Sequence, residues 1–276
     1  MLVRLKNKKI LFLVGFLLVL IISLILVWLL KYSDFFKQNI APKVTKPATP
    51  SASPNAVITP TPASSQSYSY QPFASTPAEI SWGNRNKKQV IFTFDGGSGI
   101  QSAQTILDTL EKHSVKGTFF LTGAWANKNQ ALTRQISQKS HEIFNHTYNH
   151  PRLTDISDTQ IASEFKDTDD LIRNLTGKST KPYFRPPYGA RNPHVLDIAA
   201  SQGYQSVYWT VDALDWKESS GETAEQVKNR ILQKLQPGVI YLMHIGDNIT
   251  GQILDSVFQQ IEAQGYSIVS LSQGLK

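Results

Sequence analysis

Three kinds of hydrophobic patterning follow one another along the chain. Residues 10–30 are apolar throughout, interrupted only by Gly15 and Ser23. At ~1.5 Å rise per residue, a helical run of that length crosses a ~30 Å hydrocarbon core. From about residue 33 to 78 the composition turns to Pro, Ser, Thr, Ala and Gln, with few branched apolar side chains. Such a segment buries too little surface to offset its ordering entropy, which predicts a semi-extended tether. From residue 89 onward, short β-rich apolar runs at 89–94, 117–121, 142–145, 183–184, 205–211, 239–243 and 267–271 predict strands. Amphipathic stretches lie between them. Ala103, Ile106, Leu107 and Leu110 recur at helical spacing, as do Ile161, Phe165, Ile172 and Leu175 behind a Ser157/Gln160 capping box. Val227, Ile231 and Leu235 share a face behind a second box, Thr223/Gln226. Seven strands alternating with six helices predict an α/β fold with a parallel sheet and crossover helices.

Charge changes the picture at the N-terminus. Of the 28 basic and 21 acidic residues, eight basic and one acidic (Asp34) fall in residues 1–48, so the remainder is balanced at 20 and 20. The +7 net charge is therefore a topology signal, not a phosphate-binding footprint, and no nucleic-acid partner is expected. Arg4, Lys6, Lys8 and Lys9 before the apolar run predict a cytoplasmic segment 1–9. The run is too long for a signal peptide and lacks a small-residue cleavage site, so 10–30 is expected as an uncleaved anchor. A linker over 31–80 would then hold a domain, 81–276, outside a single-pass cell membrane. The chain has no cysteine, which removes disulfides, thiolate nucleophiles and Cys-type zinc sites together.

Chemically loaded residues sit where predicted strands end. Asp95 precedes Gly96 and Gly97, His146 and His150 flank a three-residue segment, and Arg185 lies between Phe184 and Pro186. Asp212 with Trp216, and His244 after a strongly apolar run, follow. The C-terminal ends of parallel strands are where active-site side chains converge in β/α barrels. Contributions from at least five strands favour a closed or nearly closed barrel over an open sheet with one switch point. Two imidazoles four apart can face one metal ion. Pro151 argues for a strand-to-loop turn there, not a helix. Each residue alone also has an ordinary reading: a turn aspartate, core histidines, a structural arginine pair, a strand-end acid. His113, His141 and His194 are expected at the surface. Trp125, Tyr148, Trp209 and Tyr241 could stack on a ligand's flat face, with buried packing the default.

Together, Thr93–Gly97, His146–His150, Arg185–Tyr188, Asp212–Trp216 and Leu242–His244 resemble the ordered motifs of the polysaccharide deacetylase family, the NodB-homology domain of carbohydrate-esterase type. The resemblance covers roughly residues 85–273 and implies a distorted (β/α)7 barrel. It implies a divalent metal, commonly zinc with cobalt or manganese as alternatives, on His146 and His150. Asp95 would be the general base, oriented by Arg185. His244 would be the general acid, its pKa supported by Asp212. The Tyr188 backbone N–H would stabilise the oxyanion, and Trp216 and Leu242 would shape the acetyl pocket. The family's second aspartate, a metal ligand, is Gly96 here, with Asp247 and Asn145 as candidate replacements. The expected substrate is a cell-wall glycan, foremost peptidoglycan, and the protein is expected as a monomer. Chitin-like oligosaccharides, another C–N amide, and a non-catalytic glycan-binding module are the alternatives.

Overall fold

The structure is a computed structural model that describes residues 76–276. The predicted anchor at 10–30 and the linker up to residue 75 lie outside the described residues. Among the described residues no helix is long and apolar enough to cross a membrane.

Eight strands form one sheet: β1 (Gln89–Gly96), β2 (Thr118–Leu121), β3 (Glu142–Asn145), β4 (Tyr183–Phe184), β5 (Gln205–Ser206), β6 (Val211–Asp212), β7 (Ile240–His244) and β8 (Ser267–Val269). All pairings are parallel, in the order β5-β4-β3-β2-β1-β7-β6. β8 pairs with Gln89–Ile91 on the edge of β1 that β2 occupies further along. Helices α1 (Ala103–Lys112), α2 (Gly123–Lys128), α3 (Gln130–Gln138), α4 (Asp158–Thr176), α5 (Pro193–Ser201), α6 (Ala224–Gln233), α7 (Asn248–Ala263) and α8 (Leu271–Gly274) make up the connections and the C-terminal turn. Both predicted capping boxes are present, at the starts of α4 and α6.

The sheet is curled into a half-barrel, and the connectivity requires it. β5 and β6 stand at opposite ends of the strand order, yet only residues 207–210 separate them. That connection reaches at most ~18 Å, so the two margins must approach one another. Period-2 alternation along β1 then decides what faces where. Val90, Phe92 and Phe94 join the large core beneath the helices. Ile91 points the other way and packs with Phe120, Phe144, Val207, Ile240 and Leu271 inside the curl. Thr93 and Asp95 continue that inner row above an apolar floor.

Three differences from the sequence expectation have physical causes. The run 205–211 is two short strands, because the carbonyls of Val207 and Tyr208 turn inward to accept hydrogen bonds from the buried Arg185 side chain. The last strand stops at Val269, where Ser270 forms a capping box with Gln273 and opens α8. Residues 76–80, assigned to the linker, dock on the domain. Glu79 pairs with Arg191 (2.7 Å) and Ile80 bridges Val207. Two histidines expected at the surface are not there. His113 is nearly enclosed between Asp255 and Glu262 of α7, at 2.9 Å from each. His141 is buried and accepts a hydrogen bond from the Gly117 N–H. Burial holds its imidazole neutral, down to about 4.

Candidate active site

Strand exits build the site. In the β1–β7 register Asp95 lies opposite His244, and the β3–β4 register sets Asn145 against Phe184, so His146 and Arg185 leave side by side. These exits surround a cavity of about 670 Å³ lined by Asp95, His146, His150, Tyr188, Trp216, Leu242 and His244, among others. Asp212, Gly97, Arg152 and Trp209 also line it.

Arg185 is the fully buried centre of this arrangement. Its Nη1 donates to Asp95 Oδ1 and to Thr93 Oγ1, both at 2.7 Å, while Nε and Nη2 donate to the Val207 and Tyr208 carbonyls. The guanidinium carbon lies 4.2 Å from the Phe120 ring centre. The apolar floor, the arginine and the acid therefore stack in that order, and Asp95 is held with Oδ2 free to face the histidines. His146 Nε2 is 3.5 Å from that oxygen.

The imidazole pair is held from behind. His146 Nδ1–H donates to the Arg185 carbonyl (2.8 Å), which leaves the lone pair of the neutral ring on Nε2. His150 Nε2 approaches His146 Nε2 to 3.2 Å. Burial first, and then repulsion from any charge on His146, pushes His150 down to about 4, and burial lowers His146 as well. A neutral His146 presents its Nε2 lone pair here, and a neutral His150 with its proton on Nδ1 would present a second one to a cation. Two nitrogens each ~2.0–2.1 Å from one tetrahedral ion stand about 3.3 Å apart, so this pair fits a divalent metal.

As expected, the segment between the histidines is a loop and not a helix. It is shaped by local bonds: Asn145 Oδ1 accepts from Thr147 N–H, and Thr147 Oγ1 accepts from His150 N–H. Glu164 of α4 accepts from the Tyr148 and Asn149 N–H groups, both at 2.7 Å. Thr147 and His150 both have positive φ, as do Tyr188 and Leu214 elsewhere around the cavity. Among the described residues, four of the six non-glycine residues in this unfavourable region thus belong to site loops, where strain is commonly stored.

His244 differs from expectation in its partner. Its Nδ1–H donates to Asp215 Oδ1 (2.9 Å), and its backbone N–H donates to Asp215 Oδ2 (2.7 Å). Asp212, the expected partner, instead accepts from Leu214 N–H and lies 3.4 Å from Trp216 Nε1. The left-handed Leu214 turns the chain between the two acids and brings Asp215 beneath β7. Burial opposes charge on His244 and is the largest single effect. The Asp215 hydrogen bond and charge, with Asp95 and Asp247, outweigh it and raise His244 to about 9. Asp215, His244 and Asp247 lie close enough to suggest a second cation site. Asp215 already accepts four hydrogen bonds, from Trp216 N–H, His244 Nδ1–H, His244 N–H and Thr250 Oγ1–H. Its acceptor capacity is used, so its chemistry is that of an imidazole partner.

Neither Asn145 nor Asp247, the candidates expected to complete a metal site, joins the histidine pair. Asn145 is buried with its Nδ2 within hydrogen-bond distance of Phe165 O, Thr180 Oγ1 and Tyr204 Oη, which its two N–H groups share. Asp247 lies beside His244, 4.0 Å from Nδ1. A Cβ at Gly96 would meet Leu121 Cδ2 at 2.7 Å and Ile245 Cδ1 at 3.0 Å, pointing into apolar packing. A Cβ at Gly97 would instead lie 3.6 Å from His150 Cδ2 and 3.9 Å from its Nε2. In this backbone the open position beside the pair belongs to residue 97.

The comparisons with known proteins agree with this geometry. The model of the family described as polysaccharide deacetylase matches residues 83–207. The peptidoglycan-N-acetylmuramic acid deacetylase PdaA of Bacillus subtilis is 33% identical over 189 residues, 68% of this chain and 72% of the relative. This chain belongs to the polysaccharide deacetylase family. By class it is a polysaccharide N-deacetylase, a hydrolase of C–N bonds in linear amides. A peptidoglycan-N-acetylglucosamine deacetylase of Bacillus cereus is 35% identical over 193 residues, covering 68% of this chain and 69% of the relative. Among solved structures, a wild-type CE4-family pseudoenzyme of Bacillus anthracis is 32% identical with a TM-score of 0.68, covering 72% of this chain and 69% of that one. A mutant of that pseudoenzyme with restored enzymatic activity is 34% identical with a TM-score of 0.69, covering 72% of each chain.

Sequence reasoning missed Asp215, Glu164, Arg152 and the role of Gly97. Asp215 alone left a trace, as a second acid inside the Asp212–Trp216 segment. The others act through tertiary contacts that carry no local pattern.

Proposed function

We propose that this polysaccharide deacetylase removes N-acetyl groups from N-acetylhexosamine residues of a cell-wall glycan, peptidoglycan first, with a divalent metal on His146 and His150. The 3.2 Å approach of the two Nε2 atoms, beside a carboxylate locked by Arg185, carries this reading. A divalent ion held there would supply Lewis-acid polarisation of the acetamide carbonyl and a lowered pKa for water. Asp95 takes the proton of the attacking water as its oxygen bonds to the carbonyl carbon. The Tyr188 N–H, in the first turn of a short helix where such groups lack an intrahelical partner, donates to the developing oxyanion. As the C–N bond breaks, His244 gives its Nε2 proton to the departing amine, while Asp215 on Nδ1 keeps the ring charged and aimed. Trp216 and Leu242 bound the acetyl group, and Asp212 orients Trp216. Acetate and the free amino sugar leave.

We read the curled sheet as the distorted (β/α)7 barrel of the family, with Gly96 standing where other members carry a metal-binding aspartate. The basic flank and apolar run 10–30 support a single-pass membrane location with domain 81–276 outside, where the wall glycan is. Acetate release from peptidoglycan and from chitooligosaccharide, with and without added Zn²⁺ or Co²⁺, tests the activity. Release that depends on metal and falls ~10²–10⁴-fold in His244→Ala supports it. No release from either substrate with any metal refutes it. The second reading, a glycan-binding domain without turnover, is favoured by Gly96 and by the likeness to a pseudoenzyme. It requires that glycan binding persist while His244→Ala changes nothing.

A further inference from the structure

Arg152 lines the catalytic cavity, yet no hydrogen bond or ion pair engages its guanidinium among the described residues. The other arginine at this site, Arg185, is consumed by Asp95, Thr93 and two carbonyls. Arg152 is also placed with care. Pro151 precedes it, and its carbonyl accepts from Asp155 N–H to open the short helix Leu153–Asp155. Its guanidinium carbon lies 5.1 Å from the Tyr188 ring centre, and that ring packs edge-on against His150 at 4.5 Å. The cation therefore stands less than about 10 Å from the His150 ring, a span of about two sugar residues at most. A guanidinium stacked on an aromatic face, with its donors uncommitted, is suited to bind a carboxylate in its fork.

We propose that Arg152 is a specificity-determining residue that binds a carboxylate carried by the substrate close to the acetamide being cleaved. The inference rests on the deacetylase reading above. A neutral chitin-type chain offers no such group. Peptidoglycan offers two sources. One is the lactyl carboxylate on the muramic sugar, which is free only where the stem peptide has been removed; the other is the carboxylates of the stem peptide itself.

The test uses the full-length protein, loaded with Zn²⁺, on three probes: chitotetraose, glycan strands stripped of stem peptides, and strands with the peptides intact. The wild type is expected to show a higher kcat/KM on one of the charged glycans than on chitotetraose. Preference for stripped strands assigns the lactyl group, and preference for intact strands assigns the peptide. In Arg152→Gln that ratio is expected to fall ~10-fold or more, through KM and not kcat, with partial recovery in Arg152→Lys. Taking the ratio cancels any general loss from a disturbed Tyr188. An unchanged ratio in Arg152→Gln overturns the proposal while leaving the deacetylase reading intact. If no substrate is turned over, that reading fails by itself, and the affinity of wild type and Arg152→Gln for the same three glycans decides the proposal. Equal loss of affinity for charged and neutral glycans then overturns it.

Discussion

At the residue scale, a few side chains settle what the cavity can do, and His244 is the clearest case. Its pKa, raised from 6.5 to about 9, means the charged ring is favoured in the folded protein. The stability this contributes is fully present below pH 6.5 and is lost as pH rises through about 9. The difference corresponds to at most about 3 kcal/mol. Urea unfolding at pH 6 and pH 10 should show that loss in the wild type, and a much smaller one in Asp215→Asn. Asp212→Asn should keep it. Positions 96 and 97 form a second pair. Gly96→Asp drives a carboxylate into Leu121 and Ile245 and should cost about 1–3 kcal/mol of stability. Gly97→Asp aims one at His150 and should tighten Co²⁺ binding ~10-fold or more, read from the cobalt absorption during titration. If Gly96→Asp alone tightened binding, the backbone at β1's exit would have to differ from the one described.

At the element scale, the loop after β3 depends on α4. Glu164 satisfies two backbone N–H groups of that loop and also accepts from the Asn149 side chain. Without it, Tyr148 and Asn149, between the left-handed Thr147 and His150, lose their N–H acceptor. Glu164→Ala should cost about 2 kcal/mol in thermal or urea unfolding and weaken metal binding ~10–100-fold, although Glu164 touches no proposed ligand. A loss of stability with unchanged metal affinity would show that the loop holds its own shape. The element pattern itself was readable beforehand. Capping boxes at Ser157 and Thr223 marked two helix starts because capping is local chemistry. The split between β5 and β6 was not readable, since it follows from two carbonyls turning toward an arginine that arrives from a different strand.

At the scale of the whole molecule, the curled sheet and the site share one keystone. Arg185 ties β1 to the 207–208 connection, the segment that spans the sheet's two margins. Replacing it with Met removes one member of a buried ion pair and strands Asp95, which should destabilise the domain by about 3–5 kcal/mol. Calorimetry or urea unfolding would measure this. A loss below 1 kcal/mol would mean the curl is held by its apolar floor alone. Asp95→Asn in the Arg185→Met background should recover part of the loss by removing the unpaired charge.

The sequence by itself determined the parallel βα plan and the strand-end positions of Asp95, His146, Arg185 and His244. Each of these follows from short-range periodicity and from the chain's direction through a parallel sheet. It drew attention to Gly96 only through a family resemblance, without revealing that a Cβ there would meet Leu121 and Ile245. Only the tertiary structure decided that Asp215 and not Asp212 serves His244, that Glu164 supports the histidine loop, and that Arg152 is left uncommitted. Those outcomes depend on which strand exits become neighbours once the sheet curls, and contacts between distant segments, such as Arg185 with Asp95, 90 positions apart, leave no mark in local pattern.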